Sequence, residues 1–437
     1  MIVKDLKRLA LVGVPLVILL MLGATFWRLH TDPTVLGSQV GALLKTPGPA
    51  AKPSSRPPPT ANATHTELYS RTSDNGRYYE IRFGVSVYNP NIIPHPTLEN
   101  TWFVVGQSWN EPRDVFDMKF EEVGCSAQLI GGVLLCIDFV RPLPYNPTTG
   151  DKCKGDLAHA NLNVGPHDAR VFWGPHQPYT IYGSNSQFTC FGQWVQDFRK
   201  LVGWDAPIPG SFDFQTDTEL RRPPPIAALE KNYFLFWDAF DQAHVHYDMY
   251  PNRSYAKLVA DKDRALTGQA GENLAAKAGE HDASCMRRYL PTHLPDSAES
   301  IHQATNSLKV TLCRRADKGC RPRADNTFIM TVIQHKRYYY FHSEYEPYVV
   351  LFNQIAPFEL HAISKKPLWI HGRQRIDDEK TEMFYVTSMN WKKPGVNYHG
   401  YLDDELFLGF GIEDKWSGAM DVTPEDLLEG LGLCSDE

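Results

Sequence analysis

The sequence predicts an all-β protein built as a β-propeller, on three observations. Short aromatic and β-branched runs recur from about residue 75 to near the C-terminus, among them YYEIRFGVSVY, TWFVVGQSW, QLIGGVLLCIDFV, PYTIYG, NYFLFWDAF, NTFIMTVIQH, MFYVTSMNW and ELFLGFGIED. Turn residues separate them at modest spacing, and long helical periods are few. Strand, turn and strand repeat with polar or charged ends, a rhythm that suits stacked blades better than a two-sheet sandwich. Roughly 360 residues at about 40–50 or more per blade allow five to seven blades, and no repeating motif fixes the number.

The totals suit a globular chain. With 437 residues, 42% hydrophobic and 22% charged, it can bury one large core or two ordinary ones. Lys and Arg number 44 against 51 Asp and Glu, a net charge of −7. There is no basic field to gather nucleic acid by counterion release, so nucleic-acid binding is set aside.

Along the chain, Lys4, Lys7 and Arg8 precede an uncharged run from Leu9 to Trp27, close to the ~20 residues a membrane-spanning helix needs. More positive charge lies before the run than immediately after it, which predicts a cytosolic tail (1–8), a signal anchor (9–27) and a lumenal remainder. A cleaved signal peptide is the alternative, with Pro15, Gly23 and Ala24 leaving room for it. Residues 28–72, which include KTPGPAAKPSSRPPPTANATHT, hold too few large apolar groups for a core and read as a disordered stalk before a lumenal domain at 73–437. Asn62 and Asn252 head N-glycosylation triplets that agree with that topology.

Helical signal is confined to an insertion near 261–290 and to TPEDLLEGLGL (423–433), where Thr423 can cap a short helix. All eight cysteines lie beyond the span without a CxxC, and disulfides formed in an oxidising compartment explain them better than zinc. Cys313 and Cys320 bracket a plausible turn and predict a local bridge; spacing leaves the other pairings open.

Four constellations could carry chemistry. In GPHDAR, Asp168 enters a strand beside Arg170, a place from which a carboxyl group can reach a central cleft as an acid or base. A strand-entry turn explains the same residues. Glu230, Lys231 and Asn232 precede an aromatic strand, with Arg253 following as a planar donor; both cations suit phosphate, though solvated turns look alike. His335 ends an apolar strand ahead of Tyr345 and Tyr348, and the tyrosines suit either core packing or stacking on sugar rings. Asp403 and Asp404, then Glu413 and Asp414, flank ELFLGFG; a lone DD pair is as well explained by a hairpin turn, and no metal or other cofactor is assigned. No nucleophile elbow, P-loop, dinucleotide fingerprint or HExxH occurs.

In order, YNPNIIPHP (88–96), GPHDARVFWGPHQPYTIYGSNS (165–186), EKNYFLF (230–236), QHKRYYYFHSEYEPYVVLFNQIAPFELHAISKKPL (334–368) and the stretch 406–427, which opens on LFLGFGIED, resemble the five-bladed β-propeller β-mannoside phosphorylases and the related fungal β-mannosyltransferases. The resemblance implies five blades, with Asp168 as the proton-handling acid beside Arg170. It implies that Lys231, Asn232, Arg253, His335 and Tyr345 or Tyr348 hold phosphate, and that Asn89 and Asp414 contact mannose; Asp404 is grouped with the substrate-facing residues. His167 and Ala169 stand where that family has Glu and Pro around the acid. An anchored, stalked chain suits synthesis, so the expectation is an inverting β-mannosyltransferase of the Golgi membrane. It would move mannose from GDP-mannose or mannose 1-phosphate to a glycan acceptor. The alternatives are a β-mannoside phosphorylase or hydrolase using the same site, or a glycan-binding propeller without turnover.

Overall fold

The aromatic runs form β-strands, because β-branched and aromatic side chains pack well on a pleated, half-buried surface. The structure, a computed structural model, describes residues 64–109, 120–162, 165–204, 213–291, 299–339, 342–377 and 380–435 and is mostly strand. The expected tail, membrane span and most of the stalk, with Asn62, lie outside the described residues. Among the described residues no helix is long and apolar enough to cross a membrane.

Five antiparallel sheets follow in chain order. Sheet I holds Val87–Pro94, Trp102–Trp109, Phe120–Ile130 and Val133–Cys136. Sheet II holds His167–Trp173, Pro178–Asn185, Phe191–Asp197 and Thr218–Leu220. Sheet III holds Phe234–Trp237, Ala243–Asp248, Ser254–Ala260 and Leu266–Ala270. In sheet IV a broken first strand, Glu299–Gln303 and Leu308–Thr311, pairs with Thr327–Tyr339, followed by His342–Asn353 and Leu360–Ser364. Sheet V holds Phe384–Trp391, Leu406–Ile412 and Trp416–Val422, and its fourth strand is Tyr79–Arg82 from the other end of the chain. That strand also pairs in parallel with Val133–Cys136, so sheets V and I, with the short strand Arg141–Pro142 beside Phe120–Ile130, form one continuous nine-stranded array.

The cores sit between sheets rather than within them. Ile93, Phe103 and Val105 of sheet I meet Val171, Trp173 and Phe198 at sheet II. Phe172 and Ile181 share a core with Leu235, Phe236 and Val245 of sheet III and with Ile329, Val350 and Phe352 of sheet IV. Val310, Met330 and Leu351 pack on Val386, Leu408 and Met420 of sheet V, and Ile81, Val87 and Val104 pack on Phe407 and Ala419. The interfaces run I to II to III to IV to V and back to I, which is a propeller-like ring.

Buried polar side chains stitch the first strands of the sheets to one another. Asn91 Nδ2 donates to Ala169 O at 2.7 Å while Asn91 Oδ1 accepts from Val171 N at 3.0 Å. Asn306 makes the same two-way clasp with Met389, Thr387 Oγ1 donates to Pro90 O at 2.6 Å, and Ser307 Oγ donates to Leu235 O at 2.7 Å. Each clasp satisfies backbone groups that the ladders leave open, and so fixes the strands that carry the site.

The helical insertion is smaller than expected. Residues 266–270 complete sheet III as a strand, and the α-helix is Gly279–Tyr289 alone. Thr423 does start the short terminal helix Pro424–Leu427, its N–H donating to Asp426 Oδ2 at 2.9 Å. The folded part also begins before residue 73: Thr66–Leu68 pairs in parallel with Leu368–Ile370, and Ser70 and Thr72 bond Asp421. All eight cysteines are paired, as Cys125–Cys136, Cys153–Cys190, Cys285–Cys434 and the expected local bridge Cys313–Cys320. Asn252 is exposed in a turn.

Candidate active site

The first strands of the five sheets begin at one end of the ring, and each delivers a polar side chain to the same place. Asn89 comes from sheet I, Asp168 from sheet II, Lys231 and Asn232 from the approach to sheet III, His302 from sheet IV and Tyr385 from sheet V. With Tyr88, Lys336, Tyr345 and Asp414 they line a cleft of about 510 Å³. An adjoining hollow of about 260 Å³ shares His167, Asp168, Lys231 and Asn232 with it. A larger cavity, about 620 Å³, opens near the opposite ends of these strands around Lys309 and His399. Backbone strain and unpaired charge point to the first cleft.

The backbone there is bent out of the regular strand. Asn89, Asp168, Asn232 and Asp414 all adopt positive φ, at 53°, 49°, 63° and 47°. Asn and Asp tolerate this region better than other side-chain-bearing residues, yet such conformations cost energy and gather at functional sites. At Asn89 and Asp168 the ladder register shifts, and the bulge re-aims the side chain. Gly411 makes room for the first bend, since a Cβ there would lie 2.2 Å from Asn89 Oδ1.

Asp168 is exposed in the cleft and held from several directions. Asn89 Nδ2 donates to its Oδ1 at 2.8 Å, its own N–H donates to Gln107 Oε1 at 2.9 Å, and its carbonyl accepts from Arg170 Nη1 at 2.7 Å. Its Oδ2 has no protein hydrogen bond among the described residues. Arg170 is buried and donates through Nε to Ala304 O at 2.7 Å and through Nη2 to the Tyr385 hydroxyl at 3.3 Å. It braces the acid's main chain and does not pair with its carboxylate. His167 lies beside Phe120 and Phe191 with ring centroids at 4.1 and 5.7 Å, and burial lowers its pKa.

The opposite wall is cationic. Among the described residues neither Lys231 nor Lys336 has a carboxylate within ion-pair distance. Burial and then Lys231 depress Lys336, whose ammonium also lies 5.7 Å from the Tyr345 ring. Burial, reinforced by both lysines, holds His302 down to about 4, so it is a neutral imidazole at physiological pH. Asp414 is pushed up by desolvation and by the neighbouring Asp168 charge. A cleft in which two cations repel each other opposite one positioned carboxylate is poised for an anion.

The expected site residues therefore divide. Asn89, Asp168, Lys231, Asn232, Tyr345 and Asp414 meet in the cleft, and Arg170 lies directly behind it. Arg253 does not: it is buried against Asp282 at 2.7 Å and donates to Phe358 O, tying the inserted helix to sheets III and IV. His335 and Tyr348 face a separate hollow, where His335 Nε2 lies 2.9 Å from Glu299. Asp404 pairs with Arg315 at the outer rim. Sequence reasoning missed Lys336 and His302, as well as the buried Glu122 behind Asp168.

No family profile matches the sequence, and no curated protein matches it either. Solved structures similar to it include a glycosyl hydrolase from Bacteroides ovatus, 8% identical over 83% of this chain and 95% of that one, with a TM-score of 0.41. A β-1,2-mannobiose phosphorylase from Listeria innocua is 10% identical over 79% and 92%, with a TM-score of 0.42. The catalytic domain of a Coprinopsis cinerea GH62 α-L-arabinofuranosidase is 7% identical over 79% and 97%, with a TM-score of 0.36. At these values no activity follows from likeness.

Proposed function

We propose that the protein is a glycan-processing enzyme of the inverting kind, a β-mannosyltransferase working on a phosphate-activated donor, its five sheets being five propeller blades. The observation that carries this reading is the pairing of one positioned carboxylate, Asp168, with the unpaired cations Lys231 and Lys336 across the same cleft. Asp168 Oδ2 takes the proton of an acceptor hydroxyl as that oxygen bonds to C1 of the sugar. The bond from C1 to the phosphate oxygen breaks, its electron pair leaves with the phosphate, and the lysines and the Asn232 amide stabilise the departing charge. Attack from the face opposite the leaving group inverts C1. Asn89 and Asp414 bound the cleft where the sugar hydroxyls would lie. Run backwards, the same geometry is phosphorolysis, with Asp168 as the acid. The N-terminal sequence favours synthesis, on a membrane-anchored protein of the Golgi lumen acting on a secretory or cell-wall glycan.

The test offers full-length protein GDP-mannose or mannose 1-phosphate with a manno-oligosaccharide, and reads product configuration by NMR. The expected result is an inverted linkage whose formation falls by roughly 10²- to 10⁴-fold in Asp168→Asn, the usual contribution of a general base. Cleavage of β-mannosides that requires inorganic phosphate would reassign the protein as a phosphorylase. Binding of the oligosaccharide without turnover of either donor would leave a glycan-binding propeller.

A further inference from the structure

Behind Asp168 lies a second carboxyl group that the reaction just described does not use. Glu122 sits on the third strand of sheet I, directly across the ladder from Gln107. These two side chains reach the bulge of sheet II together: Gln107 Oε1 accepts from Asp168 N at 2.9 Å, and Glu122 Oε1 accepts from Ala169 N at 3.0 Å. The two amides are consecutive and flank the peptide that turns through φ 49° at Asp168. Glu122 is 1% exposed, and its Oε2 has no hydrogen-bond partner among the described residues. A buried carboxylate with an orphaned oxygen is costly, and the group escapes the cost by keeping its proton.

We infer that Glu122 is a positioning residue for Asp168, accepting the Ala169 amide so as to hold the strained turn that aims the Asp168 carboxyl group into the cleft. The inference rests on the assignment of Asp168 as the proton-handling group. The groups that face Glu122 are few. Asp168 and Arg170 approach from sheet II, Tyr88 from the first strand of sheet I, and Tyr145 from the segment after it. Burial is the main cause that lifts its pKa to about 8, the Asp168 charge adds to it, and the Ala169 amide and Arg170 oppose it. Once Glu122 ionises, a second negative charge stands behind Asp168 and disfavours both an anionic donor and the Asp168 carboxylate itself.

Three variants of the full-length protein separate positioning from mere packing. Glu122→Gln keeps the shape and the amide acceptor; it should turn over within about threefold of wild type at neutral pH while losing the alkaline fall in kcat/KM near pH 8. Glu122→Leu removes the acceptor and should lose roughly tenfold or more in kcat at little change in acceptor KM, the deficit that Glu122→Gln restores. A Gln variant that keeps the alkaline limb unchanged, or a Leu variant with wild-type kcat, overturns the inference. A readout independent of turnover is the thermal midpoint against pH. The wild-type midpoint should fall between pH 6.5 and 8 more steeply than that of Glu122→Gln, and Glu122→Leu should be non-additive with Asp168→Asn. If these stability effects appear while no donor reacts, the functional reading fails and the coupling of Glu122 to Asp168 stands. If the midpoints are additive and the slopes equal, the coupling itself is refuted.

Discussion

A one-residue displacement separates the anion wall that was expected from the one that is present. On the strand Thr327–Tyr339 and its partner, Lys336 lies opposite Tyr345 on the face toward the cleft, whereas His335 lies opposite Glu346 on the other. Strand side chains alternate with period two, so neighbours in sequence serve different surfaces. The composition QHKRYYY shows that a cation and aromatics come together, but not which parity faces the axis. His302 was invisible for a different reason: it lies on a strand fragment separated from the rest of its inner strand by Ala304–Ser307, with little apolar pattern to announce it. Arg253 carries the residue-scale prediction. Its guanidinium is buried with Asp282, so Arg253→Ala would strand a buried carboxylate and should destabilise the fold by about 3–5 kcal/mol in denaturant titration. Oligosaccharide binding by the fraction that remains folded should be unchanged. A loss of binding at unchanged stability would return Arg253 to the site.

Elements were more legible than contacts. The strands of sheets I, II and V follow the aromatic runs closely, because their alternation is strong and Gly or Pro punctuates it. The insertion near 261–290 misled because Ala, Lys and Glu there carry helix propensity. Leu266–Ala270 nevertheless becomes strand by pairing with Ser254–Ala260, a tertiary contact that overrides local preference. The helix Gly279–Tyr289 is short and has few charge pairs to sustain it alone, so its place depends on anchors. Cys285 bridges to Cys434, Asp282 Oδ1 accepts from Leu360 N at 2.8 Å, and the Tyr289 hydroxyl donates to Leu433 O at 2.9 Å. Replacing Cys285 and Cys434 together by Ser should cost about 2–4 kcal/mol of unfolding free energy and sensitise the helix to proteolysis. An unchanged unfolding midpoint would show that the ion pair and hydrogen bonds suffice.

For the whole molecule, no period in the sequence fixes how many sheets form, and the strand that completes sheet V lies more than 300 residues from its partner. The titrating groups give a prediction at this scale. Burial, with nearby cations, holds His302 and His399 to about 4, and burial also lowers His167, His244, His246 and His361. An unfolded histidine binds a proton near 6.5 while these do not, so the unfolded state gains protons first and stability falls as pH drops from about 6.5 toward 4. Glu122 works in the other direction, since it keeps its proton up to about 8 and the unfolded chain does not. Stability should therefore peak near pH 6.5, with the histidines dominating the acid side; a thermal midpoint that rises on going from pH 7 to pH 5 would contradict this.

The strand Tyr79–Arg82 leaves the ribosome more than 300 residues before its antiparallel partner, Trp416–Val422. Sheets II and III are runs of neighbouring strands and can assemble as they appear, since their pairings are local. The ring cannot. Until residues 416–422 are made, the early strand is an open edge looking for any pairing partner, the condition under which chains aggregate or swap strands. A chain that stops before residue 416 thus leaves the ring open at both of its edges, and the seam acts as a check that synthesis has passed that point.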